Sequence, residues 1–268
     1  MKVNEIITQK FIKALSENVV PWNRPWASVG FANAISKRCY TGVNVLILSL
    51  LGKDTFYLTY KQAKELGGMV KRGEKGTPIC FYKMLDGVDD NGQKKTIPFL
   101  RYYTVFGVSQ CEGLKWKAPE KETREFKPIE VCEKLVNAQN AEIEFGGDRA
   151  CYIPSSHIVR IPKPENFKSE EYYYGTLFHE LIHREAKEFG TVLDSTFGSD
   201  PYAKEELVAE IGAAFLINHC GIDVSGLWDN SKAYFQNWIS KLNKDPQLII
   251  SAASKAQKRF DNIVGRTK

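Results

Sequence analysis

Two histidines stand four residues apart, with a glutamate directly after the first. They are His179, Glu180 and His183, in the stretch "GTLFHELIHREAKEFG". On a helix, positions i and i+4 lie on one face about a turn apart, so both imidazoles can aim at one ion. Zinc suits such a pair, because it takes nitrogen and carboxylate oxygen at about 2.0–2.2 Å in a tetrahedral shell. Another divalent metal is the alternative occupant. Glu180 lies one residue further round the helix, beside the ion rather than on it. There it can take a proton from an activated water and act as the catalytic base. Leu177, Phe178, Leu181 and Ile182 flank the histidines, so the helix is not a wetted surface element. The plain alternative is an interior helix whose histidines hydrogen-bond to neighbours.

A third ligand must come from another segment. "KEELVAEIGAAF" offers Glu205, Glu206 and Glu210. Glu206 and Glu210 share a helix face and Glu205 does not. The pattern resembles the second helix of thermolysin-like gluzincins. That resemblance implies Glu206 as metal ligand, with Glu210 hydrogen-bonded to a ligand histidine. "HIVRIP", just before the metal helix, reads as a strand whose edge an extended peptide can join. The remaining histidines are His157, in the strand region, and His219, at a helix end where it offsets the dipole. Of Tyr172, Tyr173 and Tyr174, at least two are expected to pack rather than to stabilise an oxyanion.

A second chemistry concerns the first half. Single strands of nucleic acid are held by aromatic platforms for bases and a basic track for phosphates. Trp22, Arg24 and Trp26 fall within "PWNRPW", Lys71, Arg72 and Lys75 within "KRGEKG", and Arg101 and Tyr103 within "RYYTV". On a strand Arg101 and Tyr103 share a face that Tyr102 does not. The alternatives are core packing for the tryptophans and an ordinary solvated turn for "KRGEKG". Such contacts read no base edges, so recognition is expected to be largely independent of sequence.

These residues need positioning elements. Ile6, Ile7, Phe11, Ile12 and Leu15 recur at helical spacing. "GVNVLILSLLG" is too apolar for periodicity to separate helix from strand. Thr59 reads as a turn or cap before a short helix that ends at Gly67 and Gly68. "MVKRGEKGTPICFYKML" reads as strand, glycine-bearing turn and strand. "DGVDDNGQKK" is a polar hairpin tip, and "TIPFLRYYTVFGVSQ" a strand. The charged, proline-bearing "KAPEKETREFKPIE" reads as a linker at residues 116–128. After it come a helix at "IEVCEKLVNAQN", three short strands ("AEIEFGG", "ACYIPS", "HIVRIP"), the metal helix with Ser169 as N-cap, the acidic helix, and two amphipathic helices. The organisation is α+β: a mixed α/β single-strand-binding domain at 1–115, then a gluzincin-like metallopeptidase domain at 129–268.

Composition agrees with two modules. Residues 1–128 carry 21 Lys and Arg against 12 Asp and Glu, and residues 129–268 carry 16 against 20. A basic half followed by an acidic half points to different partners. The six cysteines are scattered with no CxxC pair, which excludes a zinc ribbon or a dithiol redox motif. No stretch has the roughly 18 apolar residues of a membrane helix, and the opening residues lack a signal-peptide core. The expected setting is a reducing cytoplasm, with no membrane partner.

"CYIPSSHIVRIPKPENFKSEEYYYGTLFHELIH" with "YAKEELVAEIGAAFL" resembles the C-terminal zincin-like domain of ArdC-type antirestriction proteins. "PWNRPW", "YTGVNVLIL", "YLTYKQAKELGGMVKRGEKGTPICFYK" and "YYTVFGVSQCEGL" resemble their N-terminal single-stranded-DNA-binding domain. The resemblance covers nearly the whole chain. It implies a mobile-element protein that binds single-stranded DNA, with a metallopeptidase fold and antirestriction activity in at least some members. The expected protein substrate is one met on DNA. Where the family often has a Trp-Thr-Gly-like turn after the second histidine, this chain has Arg184, Glu185 and Ala186. The rival reading is a non-enzymatic DNA-coating antirestriction factor with a structural or vestigial zinc site, and a third is a plain intracellular zinc peptidase.

Overall fold

Apolar side chains on one stripe make Val3–Ser16 a helix, α1, which buries Ile7, Phe11 and Leu15. The computed structural model describes residues 3–17, 31–52, 54–88, 94–118, 128–147, 149–191, 200–222 and 235–267. Helices and sheets mix in an α+β arrangement.

In the first half, β1 (Ala32–Asn33), β2 (Phe56–Thr59), β5 (Lys94–Gly107) and β4 (Thr77–Val88) form one sheet in the order β1-β2-β5-β4. The ambiguous apolar run is a helix, α2 (Val43–Leu51), and packing decides it. Leu48 sits with Tyr57 and Val105 of the sheet and with Phe31 just before β1, while Val43, Leu46 and Ile47 enter the main core. α3 (Tyr60–Glu65) starts at Thr59 through a capping box with Gln62, as the sequence suggests. β3 (Met69–Val70) pairs not with β4 but with β6 (Cys111–Glu112). The hairpin strands run into the polar tip, pairing as far as Val88 with Lys94. β4 is a sheet edge, and Asn44 of α2 covers it. Its side chain accepts from Cys80 N and donates to Cys80 O, both at 2.7 Å.

The second half opens with α4 (Pro128–Asn137) and a three-stranded sheet of β7 (Glu142–Phe145), β8 (Cys151–Ile153) and β9 (Ile158–Ile161). Its order is β7-β9-β8. The edge expected at "HIVRIP" is therefore not there: β9 is paired on both sides, and β7 and β8 are the edges, β8 the one beside α5. α5 (Glu170–Glu185) and α6 (Asp200–Cys220) follow, then α7 (Phe235–Lys244) and α8 (Leu248–Gly265). α6 presents Gly212 to α5, and a Cβ there would lie 2.7 Å from the Ile182 side chain. Close approach of these two helices needs that glycine.

One apolar core joins the halves. Ile7, Phe11 and Leu15 of α1 lie in the same buried cluster as Tyr174, Ala213, Trp238 and Ile249. Hydrogen bonds cross as well, from Thr8 Oγ1 to Pro246 O at 2.7 Å and from Gly42 N to Gln257 Oε1 at 2.8 Å. Among the described residues, no helix is long and apolar enough to cross a membrane.

Candidate metal centre and nucleic-acid interface

α5 is capped by Ser169 without a side-chain hydrogen bond, and Glu170 and Glu171 fill its first turn. Two turns on, His179 and His183 project toward α6. Their Nε2 atoms are 3.1 Å apart. Glu206 of α6 faces both, with Oε2 3.5 Å from His179 Nε2 and Oε1 3.5 Å from His183 Nε2. One ligand atom from each of the three residues lies within 4.8 Å of the others. Two imidazoles and one carboxylate are a nitrogen–oxygen donor set that fits a divalent first-row metal, and three protein ligands leave room for a further one.

The other ring nitrogens also meet carboxylates. Glu210 Oε1 lies 3.9 Å from His179 Nδ1, and Glu205 Oε1 lies 3.4 Å from His183 Nδ1. The spacing puts Glu205 off the face that Glu206 and Glu210 share. It reaches the site by the other flank, since His183 lies between the two glutamates. Arg259 of α8, 1% exposed, grips Glu205 with two bonds, Nη1 to Oε1 at 2.5 Å and Nη2 to Oε2 at 3.0 Å. It also donates to Ile182 O at 3.2 Å. Sequence reasoning missed Arg259, although it sits on the apolar stripe of Ala252, Ala256 and Ile263.

Electrostatics follow from this crowding. Burial alone would lower His183, but hydrogen bonds to Glu205 and Glu206 outweigh it and lift the imidazole to about 10. His179 is likewise raised, because Glu206 and Glu210 overcome its burial. Burial pushes Glu206 up, yet the two histidines hold it well below the usual carboxylate range. Glu205 is also held down against its burial, by His183 and Arg259.

Glu180 is buried and turned to the edge strand: its Oε2 accepts from Tyr152 N of β8 at 2.7 Å. Tyr152 Oη in turn bonds His157 Nδ1 at 2.8 Å, and His157 sits not in a strand but at the turn after β8, with φ of 61°. A cavity of about 330 Å³ opens here, lined by Cys151, Tyr152, Pro154, Tyr202 and the histidine–glutamate cluster. Tyr173 and Tyr174 are buried, and Tyr174 bonds Glu133, so two of the three tyrosines pack as expected. Glu185, standing after the second histidine, is buried against Arg266 at 2.6 Å and Asn262 at 2.6 Å. α8 thus fills the space behind the altered segment. His219 is exposed on the last turn of α6, against Phe260.

Among the residues predicted to meet nucleic acid, Trp22, Arg24 and Trp26 lie outside the described residues. Lys71, Arg72 and Lys75 are exposed on the turn before β4. Gln110 holds that turn, donating to Glu74 Oε2 at 2.6 Å and Lys75 O at 3.0 Å, and Lys71 Nζ donates to Ser109 O at 2.9 Å. Arg101 pairs in register with Phe81, and Tyr103 with Ile79, so all four share a sheet face. Phe81 and Tyr103 are 46% and 47% exposed, with ring centroids 6.2 Å apart. Phe81 was not singled out from sequence. Its signal was the alternation of "TPICFYK" against "LRYYTV".

The profile of the N-terminal domain of anti-restriction factor ArdC matches residues 1–106, and that of a zincin-like metallopeptidase matches residues 130–255. "DNA primase TraC" of Escherichia coli is 33% identical over 288 residues, which cover 97% of this chain. The chain spans only about a fifth of that relative's length. "Uncharacterized protein y4eC" of Sinorhizobium fredii is 30% identical over 280 residues, 97% of this chain and 90% of the relative. The metal-free crystal structure of the antirestriction ArdC protein from plasmid R388 superposes with a TM-score of 0.81. It is 30% identical, and the match covers 100% of this chain and 98% of that one. Its Mn(II)-bound form superposes with a TM-score of 0.80.

Proposed function

The chain belongs to the ArdC antirestriction family, and from that premise we propose that it binds single-stranded DNA and hydrolyses a protein met there. Residues 1–115 serve DNA, 129–268 carry the hydrolytic site, and 116–128 link them. The observation that carries the reading is Glu180, held by Tyr152 N at 2.7 Å on the wall of a cavity that His179, His183 and Glu206 also line.

His179, His183 and Glu206 hold the metal, and zinc is our preferred occupant. When bound, it supplies Lewis-acid activation of a water and a carbonyl. Glu180 takes the proton from the attacking water and passes it to the leaving amine. Fixing its carboxylate on Tyr152 N–H keeps it aimed without making it a ligand. The β8 edge, with Cys151 and Pro154 in the cavity lining, receives an extended peptide. Glu210 steadies His179. On the other half, Phe81 and Tyr103 stack bases while Arg101, Lys71, Arg72 and Lys75 meet phosphates.

Glu180→Gln tests the reading. It should keep metal and fold but lose cleavage of a protein presented on single-stranded DNA by at least ~10²-fold. A variant that protects incoming DNA from restriction as well as wild type would show that hydrolysis is dispensable, and would favour DNA coating. The DNA half has its own test. Full-length protein should bind single strands better than duplex, with affinity falling steeply as salt rises. Phe81→Ala and Tyr103→Ala should each weaken that binding by about 1–3 kcal/mol. Unchanged affinity in the double variant would remove this face from the interface.

A further inference from the structure

We infer that Arg259, acting through Glu205, is a positioning residue for the metal centre, and that the pair sets how tightly the metal is held. The inference rests on His179, His183 and Glu206 as ligands. Arg259 lies 54 positions from Glu205 and comes from the last helix. Its guanidinium is always charged and almost fully buried, so it must be paired. The geometry gives it two grips on one ligand. The fork holds both oxygens of Glu205, and Nη1 also takes Ile182 O, the carbonyl next to His183 in the chain, at 3.2 Å.

Glu205, held by that fork at both oxygens, faces His183 Nδ1 at 3.4 Å. With Nδ1–H aimed at Glu205, Nε2 is the nitrogen turned to His179 and Glu206, and it gives up its proton when a metal binds there. That is the tautomer and ring orientation a metal ligand needs. On His179, Nδ1 faces Glu210 at the longer distance of 3.9 Å. His183 is thus braced from the α8 side through Glu205. Arg266 offers a control. It makes a comparable contact from just past the end of α8, to buried Glu185 at 2.6 Å, and makes no hydrogen bond or ion pair with either histidine or Glu206 among the described residues.

The test is Mn²⁺ affinity of full-length protein, by competition with a chromophoric chelator, with the Co²⁺ absorption spectrum as a second readout. Glu205→Gln and Arg259→Gln should each weaken Mn²⁺ by 10–100-fold and shift the Co²⁺ bands. Arg259→Lys should recover part of the loss. The double variant should be no weaker than Arg259→Gln by more than twofold, because the two act in one line. Arg266→Gln should lower the melting temperature but leave affinity within twofold. Folded Glu205→Gln protein with wild-type affinity overturns the inference, and it decides alone should Arg259→Gln not fold. Arg266→Gln weakening Mn²⁺ as much as Arg259→Gln also overturns it. A His183→Ala variant separates the premises: if it keeps wild-type Mn²⁺ affinity, the ligand assignment fails first. Wild-type protein that takes up no Mn²⁺ rejects both.

Discussion

At the scale of the residue, Glu206 and Glu210 of α6 stand differently toward His179 and His183. Glu206 faces both Nε2 atoms at 3.5 Å, whereas Glu210 lies 3.9 Å from the rear nitrogen of His179. Glu206→Gln should therefore remove most zinc or manganese, and Glu210→Gln should weaken binding only about 10–100-fold. Metal content after gel filtration checks the order, and the reverse order would exchange the two roles. His179 and His183 were legible because their spacing alone puts them on one face, with Glu180 beside it. Glu205 was not. A helical wheel says which residues share a face with Glu206, but not that a partner standing between two faces can be reached from either. Arg259 was hidden by distance along the chain, since nothing in the stripe of α8 names the acid it will meet.

At the scale of the element, helices were easier to read than strand partners. α1, α5, α6 and α8 follow from apolar spacing, and α3 from Thr59 and Gln62. α2 was undecidable because it is apolar all round, and its burial between a sheet and the main core explains that composition. β3 finds β6 about forty residues later, a pairing that two-residue strands cannot encode locally. Two substitutions probe what the elements require. Gly212→Ala drives a methyl into Ile182 and should cost about 1–3 kcal/mol by overpacking. By spreading α5 from α6 it should also loosen the metal. A variant as stable as wild type in urea would mean that α5 yields freely. Asn44→Ala strips Cys80 of partners for both its N–H and its C=O at a nearly buried edge. Its expected cost is also about 1–3 kcal/mol, read from the urea midpoint.

At the scale of the molecule, charge and packing divide the chain differently. The basic surface belongs to the first half and the histidine–glutamate cluster to the second, yet α1 of the first half buries Ile7, Phe11 and Leu15 in the core of the second. Each such side chain contributes about 1.5–3 kcal/mol when fully buried, so α1 is bound to α7 more firmly than a tether would be. α8 adds polar ties. Gln257 holds the Gly42 backbone at the start of α2, and two residues on Arg259 holds Glu205. The composition shift near residues 116–128 was legible in sequence. The return of α1 to the far side was not, because an amphipathic stripe specifies that a helix needs a partner without specifying which. A measurable consequence is shared stability. In native-state hydrogen exchange, the amides of residues 7–15 should open with the same free energy as those of α7, in one cooperative unit. They should also respond equally to Trp238→Phe, which thins the core on the α7 side. Amides of α1 that exchange several kcal/mol more easily than α7 would mean that the first half opens by itself. DNA engaged there would then have no mechanical route to the metal centre through the shared core.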